Sequence, residues 1–92
     1  MTTVTIGSGY IEVSGHAEEP VVCHGVSAIS QMVANYAEDH KFGRVERGDG
    51  YLIIYDTGLG HYASPLVESF ISAIVDISEE YPGNIIFKHK NI

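Results

Sequence analysis

Pro20-Val21-Val22-Cys23-His24-Gly25-Val26-Ser27-Ala28-Ile29 opens the stretch whose periodicity decides the fold. Pro20 suits the first position of a helix, where its missing N–H is not needed. Beyond it Val22, Val26, Ile29, Val33 and Tyr36 recur at steps of four, three, four and three residues. That spacing lays one apolar stripe along a helix that runs to Glu38-Asp39-His40. A helix apolar on one side needs a second layer to cover it, and Cys23 sits in its first turn beside the stripe.

The flanking segments supply that layer. Thr3-Val4-Thr5-Ile6 and Tyr10-Ile11-Glu12-Val13-Ser14 are β-branched and aromatic runs around Gly7-Ser8-Gly9, the composition of an antiparallel hairpin. Ile11 and Val13 share one face and Tyr10, Glu12 and Ser14 the other, so the second strand is half-buried and delivers Gly15-His16 at its end. On the far side of the helix, Phe42 to Arg47, the turn Gly48-Asp49-Gly50 and Tyr51 to Asp56 read as a second hairpin with a central later strand. Gly58, Gly60 and Pro65 mark a loop. A second helix from Pro65 to Glu80 buries Val67, Phe70, Ile71, Ile74 and Ile77 and ends at Pro82-Gly83, and Asn84 to Lys90 forms the last strand. The order ββαββαβ predicts an α+β fold with both helices on one face of a mainly antiparallel sheet. Without repeat, linker or low-complexity segment, residues 1–92 read as a single domain.

Composition narrows the function. Ninety-two residues, 45% of them hydrophobic, fill one two-layer core and leave nothing for a second domain. No apolar run reaches the roughly 18 residues of a membrane helix, and Met1-Thr2-Thr3-Val4 lacks the basic start and long apolar stretch of a signal peptide. A lone Cys cannot form an internal disulfide and fits a reducing compartment, so the expectation is a cytoplasmic protein with its thiol available for chemistry. The formal charge of −7, from 12 acidic residues against 5 Lys and Arg, argues against a nucleic-acid partner and suits a basic peptide.

The thiol has a companion. His16 closes the second strand and Cys23 opens the helix seven residues later. A helix start offers unpaired N–H groups and the positive end of its dipole, which favour thiolate over thiol, and a neighbouring imidazole would take the thiol proton. Free N–H groups at the same helix start would also hold an oxyanion. Taken singly, each residue has an ordinary explanation: free Cys is commonly a small buried apolar residue, and a strand-end His commonly bonds a loop carbonyl. The pair in this order is what points to a nucleophile with its base. His16, Cys23, His24 and His61 match no paired-ligand spacing for zinc, and the reading requires neither metal nor cofactor. His24 lies roughly 100° around the helix from Cys23 and reads as a surface residue; His40, His61 and His89 read as solvated or capping side chains. Gly58-Leu59-Gly60 lacks the lysine of a phosphate loop and reads as a turn.

Gly15-His16-Ala17, then Val22-Cys23, then Val26-Ser27-Ala28 resembles the ribosomal-processing cysteine protease family, Prp, of Firmicutes and related bacteria, as a divergent or phage-borne member. The resemblance extends to chain length and element order. It implies a small α+β protein, a homodimer, that removes a short N-terminal extension from ribosomal protein bL27 with a His and Cys dyad. His16 then corresponds to the general base and Cys23 to the nucleophile. Ser27 matches the family's serine one turn after the nucleophile, in a packing or orienting role. The family's loop between His and Cys is longer, with an acidic residue before the apolar pair leading into the Cys. Here that loop is Ala17-Glu18-Glu19-Pro20, and Pro20 stands where the acid would align, leaving Glu18 or Glu19 as substitutes. Glu19 is thus a candidate for orienting or contacting a basic substrate. The shortened loop bears on the substrate more than on the chemistry.

Two functions from different classes follow. The first is a cysteine endopeptidase acting on a protein or peptide substrate. The second is a catalytically inactive Prp-like dimeric binding or scaffold module, which would keep the fold but wall the sulfur off from the imidazole. Redox sensing by Cys23 is the weaker third, because the chain has no resolving cysteine.

Overall fold

The computed structural model describes residues 1–7, 9–41, 43–56 and 64–89. The expectations attached to Ser8, Phe42, Gly58, Leu59, Gly60, His61 and Lys90 fall outside these residues. The element order is β1 (Thr2–Gly7), β2 (Tyr10–Gly15), α1 (Pro20–Asp39), β3 (Gly43–Gly48), β4 (Tyr51–Asp56), α2 (Ser64–Glu80) and β5 (Ile85–His89). The strands form one sheet in the order β3-β4-β2-β1-β5. Only β1 and β5 pair in parallel; β1–β2, β2–β4 and β3–β4 are antiparallel. The α+β fold of order ββαββαβ is as the periodicity requires, with β4 between two strands rather than at an edge.

Register puts the apolar residues of three interior strands in one row. Val4 pairs with Val13 and Ile6 with Ile11 across β1–β2, while Ile11 pairs with Ile54 and Val13 with Leu52 across β2–β4. Successive strand residues alternate faces, so this row forms the surface on which the helices lie. Val4 and Ile54 are fully buried, and from the helices Val22, Val33, Phe70 and Ile74 join them. Both hairpins carry the same sequence pattern, Gly7-Ser8-Gly9-Tyr10 and Gly48-Asp49-Gly50-Tyr51. In each the tyrosine ring lies where a side chain on the paired glycine would stand.

The buried side of α1 is turned slightly from the stripe read in the sequence. It comprises Val22, Val26, Ser30, Val33, Ala34 and Ala37, while Ile29 and Tyr36 flank the core half-buried. Ala34 and Ala37 are fully buried on this side, and the larger Ile29 and Tyr36 pack at its margin. The helices meet where Gly25 of α1 faces Ile77 of α2.

Polar ties fix what packing leaves free. Arg47, on the polar edge strand β3, reaches across α1 to Glu38 with two bonds of 3.0 Å, to Gln31 Oε1 at 3.3 and 3.4 Å and to Asn35 Oδ1 at 3.4 Å. Residues 31, 35 and 38 lie on one helix face, so a single guanidinium holds the strand against two turns of helix. Hydrogen bonding from Arg47 holds the Glu38 carboxyl below its ordinary value, against a smaller opposing effect of desolvation. Because the pair is solvated, it fixes geometry more than it adds stability.

Phe70 is the largest fully buried side chain among the described residues. Phe70→Ala is expected to lower the unfolding free energy by about 3–5 kcal/mol through lost transfer energy and the cavity left behind. Urea denaturation measures it, and a loss under about 1 kcal/mol would place Phe70 outside the core this packing describes.

Candidate active site

The end of β2 and the start of α1 are held by three backbone devices. Gly15 has φ +82°, and a side chain there would collide with the Met1 carbonyl oxygen, so only glycine passes the chain into His16. The Gly15 N–H donates to the Gly50 carbonyl at 2.8 Å, tying β2 to the β3–β4 turn. Gly50 has φ +79° and brings the turn backbone beside the imidazole: a Cβ there would stand 3.3 Å from His16 Nε2. The glycine preceding the histidine in the sequence is thereby given a cause.

Asn84, just before β5, joins the elements around the loop. Its Oδ1 accepts from the Glu19 N–H at 3.2 Å, its carbonyl accepts from the Thr2 N–H at 3.0 Å, and its Nδ2 donates to the Tyr81 carbonyl at 3.3 Å. Glu19 is the N-cap residue of α1 through its extended backbone, at φ −84° and ψ 116°, and its side chain makes no cap. Its carbonyl accepts from the N–H groups of Val22 at 3.0 Å and Cys23 at 3.2 Å.

These bonds correct one expectation. The helix start does not offer a set of free N–H groups for an oxyanion. Pro20 has none, the Glu19 N–H goes to Asn84, and those of Val22 and Cys23 go to Glu19, which leaves the Val21 N–H as the one not engaged among the described residues. Cys23 lies on the fourth helical residue, where the i→i−4 ladder has already begun. An oxyanion here would have to be met by that single N–H or by side chains.

Between α1 and the β2 and β4 ends lies a cavity of about 200 Å³. His16, Gly50 and Tyr51 line its sheet side. Cys23, Ser27, Ser30 and Gln31 line its helix side. His16 and Ser27 are exposed and Cys23 half-buried, so imidazole, hydroxyl and thiol face one accessible space. No hydrogen bond joins His16 to Cys23 among the described residues, an arrangement common before substrate binds, when catalytic contacts are still long. Glu19 is not among the residues lining this cavity, and His24 is exposed outside it.

Two polar residues of this wall were not singled out in the sequence. Ser30 is 2% exposed and its hydroxyl has no hydrogen-bond partner among the described residues. Its spacing, four after Val26 and three before Val33, was the available signal, hidden because a serine does not register in an apolar stripe. Gln31 stands eight residues after Cys23 and four after Ser27, on the same edge of the helix.

Solved structures share this fold. Prp from S. aureus, an essential ribosomal processing protease in complex with a covalently linked product peptide, superposes with a TM-score of 0.82 at 25% identity, over 98% of this chain and 100% of that one. The likeness is to the Prp family. The same protease with a substrate peptide gives 0.82 at 23% identity over 98% and 100% of the two chains. SMU.848 from Streptococcus mutans gives 0.71 at 23% identity over 99% and 96%. No family model matches the sequence, and no curated protein matches it significantly. The full-length agreement with Prp supports a Prp family member, the group to which Gly15-His16-Ala17 and Val22-Cys23 already pointed. Within that Prp-like frame His16, Cys23 and Ser27 line one cavity, while Glu19 contributes backbone to the helix start.

The two glycines at the sheet end separate strain from collision. Gly15→Ala and Gly50→Ala each place an L-residue at positive φ, a cost of about 1–2 kcal/mol. Gly15→Ala is expected to lose more stability in denaturant unfolding, because its Cβ meets a backbone carbonyl while that of Gly50 meets only a side-chain ring. Equal losses, or the reverse order, would contradict this geometry.

Proposed function

We propose that the protein is a cytoplasmic cysteine endopeptidase that removes a short, basic N-terminal extension from a protein substrate, by resemblance ribosomal protein bL27. The observation that carries this reading is that His16 and Cys23 line one cavity, in a chain that matches Prp over 98% of its length. Cys23 is the only thiol of this chain.

The chemistry is that of a thiol with its base. His16 takes the Cys23 proton, and the thiolate sulfur attacks the scissile carbonyl carbon to give a tetrahedral adduct. The adduct collapses to a thioester as the imidazolium returns the proton to the departing amine. Water, deprotonated by the same imidazole, then hydrolyses the thioester and restores thiol and free base. With the N–H groups of Glu19, Val22 and Cys23 engaged, the Ser27 hydroxyl on the cavity wall is a group suited to orient substrate or to meet the developing oxyanion. The excess of 12 acidic over 5 basic residues favours a basic peptide. As in the family it resembles, the working form is a homodimer.

The rival, an inactive binding module, needs the sulfur and the imidazole walled off by core residues. An exposed His16 and a half-buried Cys23 on one cavity count against it.

Incubation with the N-terminal segment of the host's bL27, followed by mass analysis, tests the proposal. Wild type is expected to release a shortened protein, Cys23→Ala to release none, and His16→Ala to be slower by about a hundredfold or more. Cleavage that persists in Cys23→Ala, or no cleavage by wild type, would overturn it.

A further inference from the structure

The helix that carries Cys23 starts without a cap of its own. Glu19 stands at the N-cap position with extended backbone, and its side chain makes no cap bond. Such a bond normally closes the first turn on itself. Here the holding bond comes from 65 residues away, where Asn84 Oδ1 accepts from the Glu19 N–H at 3.2 Å. Among the described residues, this is the one hydrogen bond that ties the loop from Ala17 to Glu19 to a distant part of the chain.

Asn84 reaches both halves of the reactive pair. On the helix side, the Glu19 carbonyl accepts from the Cys23 N–H at 3.2 Å, so two hydrogen bonds in sequence join the Asn84 side chain to the Cys23 backbone. On the sheet side, the Asn84 carbonyl accepts from the Thr2 N–H at 3.0 Å. Thr2 is the register partner of Gly15, the residue that passes the chain into His16. The Asn84 Nδ2 donates to the Tyr81 carbonyl at 3.3 Å, which orients the carboxamide with its oxygen toward Glu19. One residue thus spans the element that carries the base and the element that carries the thiol.

We propose that Asn84 is a positioning residue for the His16 and Cys23 pair: its carboxamide holds the start of α1 against the end of β2, so that the thiol proton can pass to the imidazole. The bond to Glu19 is exposed to solvent, so its share of the folding free energy is small. The bond to Thr2 uses the main chain and survives any change of the side chain. Proton transfer is less forgiving than folding, because it needs hydrogen-bond reach and a misplacement of about 1 Å costs a large factor in rate. The inference rests on the thiol-and-base reading of His16 and Cys23 and adds the residue that sets their relation.

Iodoacetamide alkylation of Cys23 at neutral pH tests this without any need for turnover, in a cycle of wild type, Asn84→Ala, His16→Ala and the double variant. Asn84→Ala is expected to react about fivefold more slowly than wild type, the factor that one ordinary hydrogen bond supplies. Asn84→Asp keeps the acceptor for the Glu19 N–H and is expected to stay within about twofold of wild type. In the His16→Ala background, adding Asn84→Ala is expected to change the rate by less than about twofold, because a residue that acts through the pair has nothing left to position. A merely structural residue would slow or speed alkylation equally in both backgrounds. The far-UV circular dichroism of every variant is expected to match wild type. A wild-type rate in Asn84→Ala, the same factor in both backgrounds, no recovery in Asn84→Asp, or a lost far-UV signal in Asn84→Ala would each overturn the inference. If His16→Ala is slow while Asn84→Ala is not, the thiol-and-base reading stands and the role of Asn84 fails. If His16→Ala alkylates at the wild-type rate, both fail together.

Discussion

The burial of one face of α1 against the row Val4, Val13, Leu52 and Ile54 sets the position of everything the site contains. With Val22, Val26 and Val33 seated in the core, the helix has no freedom to rotate about its axis. Cys23, Ser27 and Gln31, at successive four-residue steps, are carried along one edge of the buried face and form a row of three polar side chains on the cleft. A large change in that packing would not simply weaken the protein. It would turn the thiol away from the sheet end where His16 waits.

The sheet answers with backbone rather than side chains. Gly15 and Gly50, joined N–H to carbonyl, bring the end of β2 and the β3–β4 turn together, and His16 leaves the sheet at that junction. Asn84 then links the helix start, the first strand and the turn before β5. Arg47 closes the other side by holding β3 to α1. The short loop from Ala17 to Pro20 is thus anchored at both ends, so the His16-to-Cys23 geometry does not depend on a long mobile segment.

Much of this was readable in the chain. Periodicity of two in Tyr10 to Ser14, and of three and four in Val22 to Tyr36, gives the right elements because burial on one face is what both patterns record. The glycine-rich turns and Pro20 placed the boundaries, and the Gly15-His16 and Val22-Cys23 motifs placed both reactive groups on what proved to be one cavity. What stayed hidden was what depends on contacts between distant segments. Asn84 lies 65 residues from Glu19. Ser30 is a polar residue on a face where only apolar ones signal burial. The rotation of the buried side toward Ala34 and Ala37 stayed hidden because small alanines add little to a stripe read from large apolar residues. The oxyanion expectation narrows to the Val21 N–H for a local reason: a cysteine four residues past the N-cap is already inside the hydrogen-bonded ladder.

The central claim is that His16 and Cys23 act as one chemical unit across the cleft. The rate of iodoacetamide alkylation of Cys23 at neutral pH, in wild type and in His16→Ala, tests it most directly. The account predicts that wild type reacts at least about tenfold faster than His16→Ala, because the imidazole takes the thiol proton. Equal rates in the two proteins would contradict it.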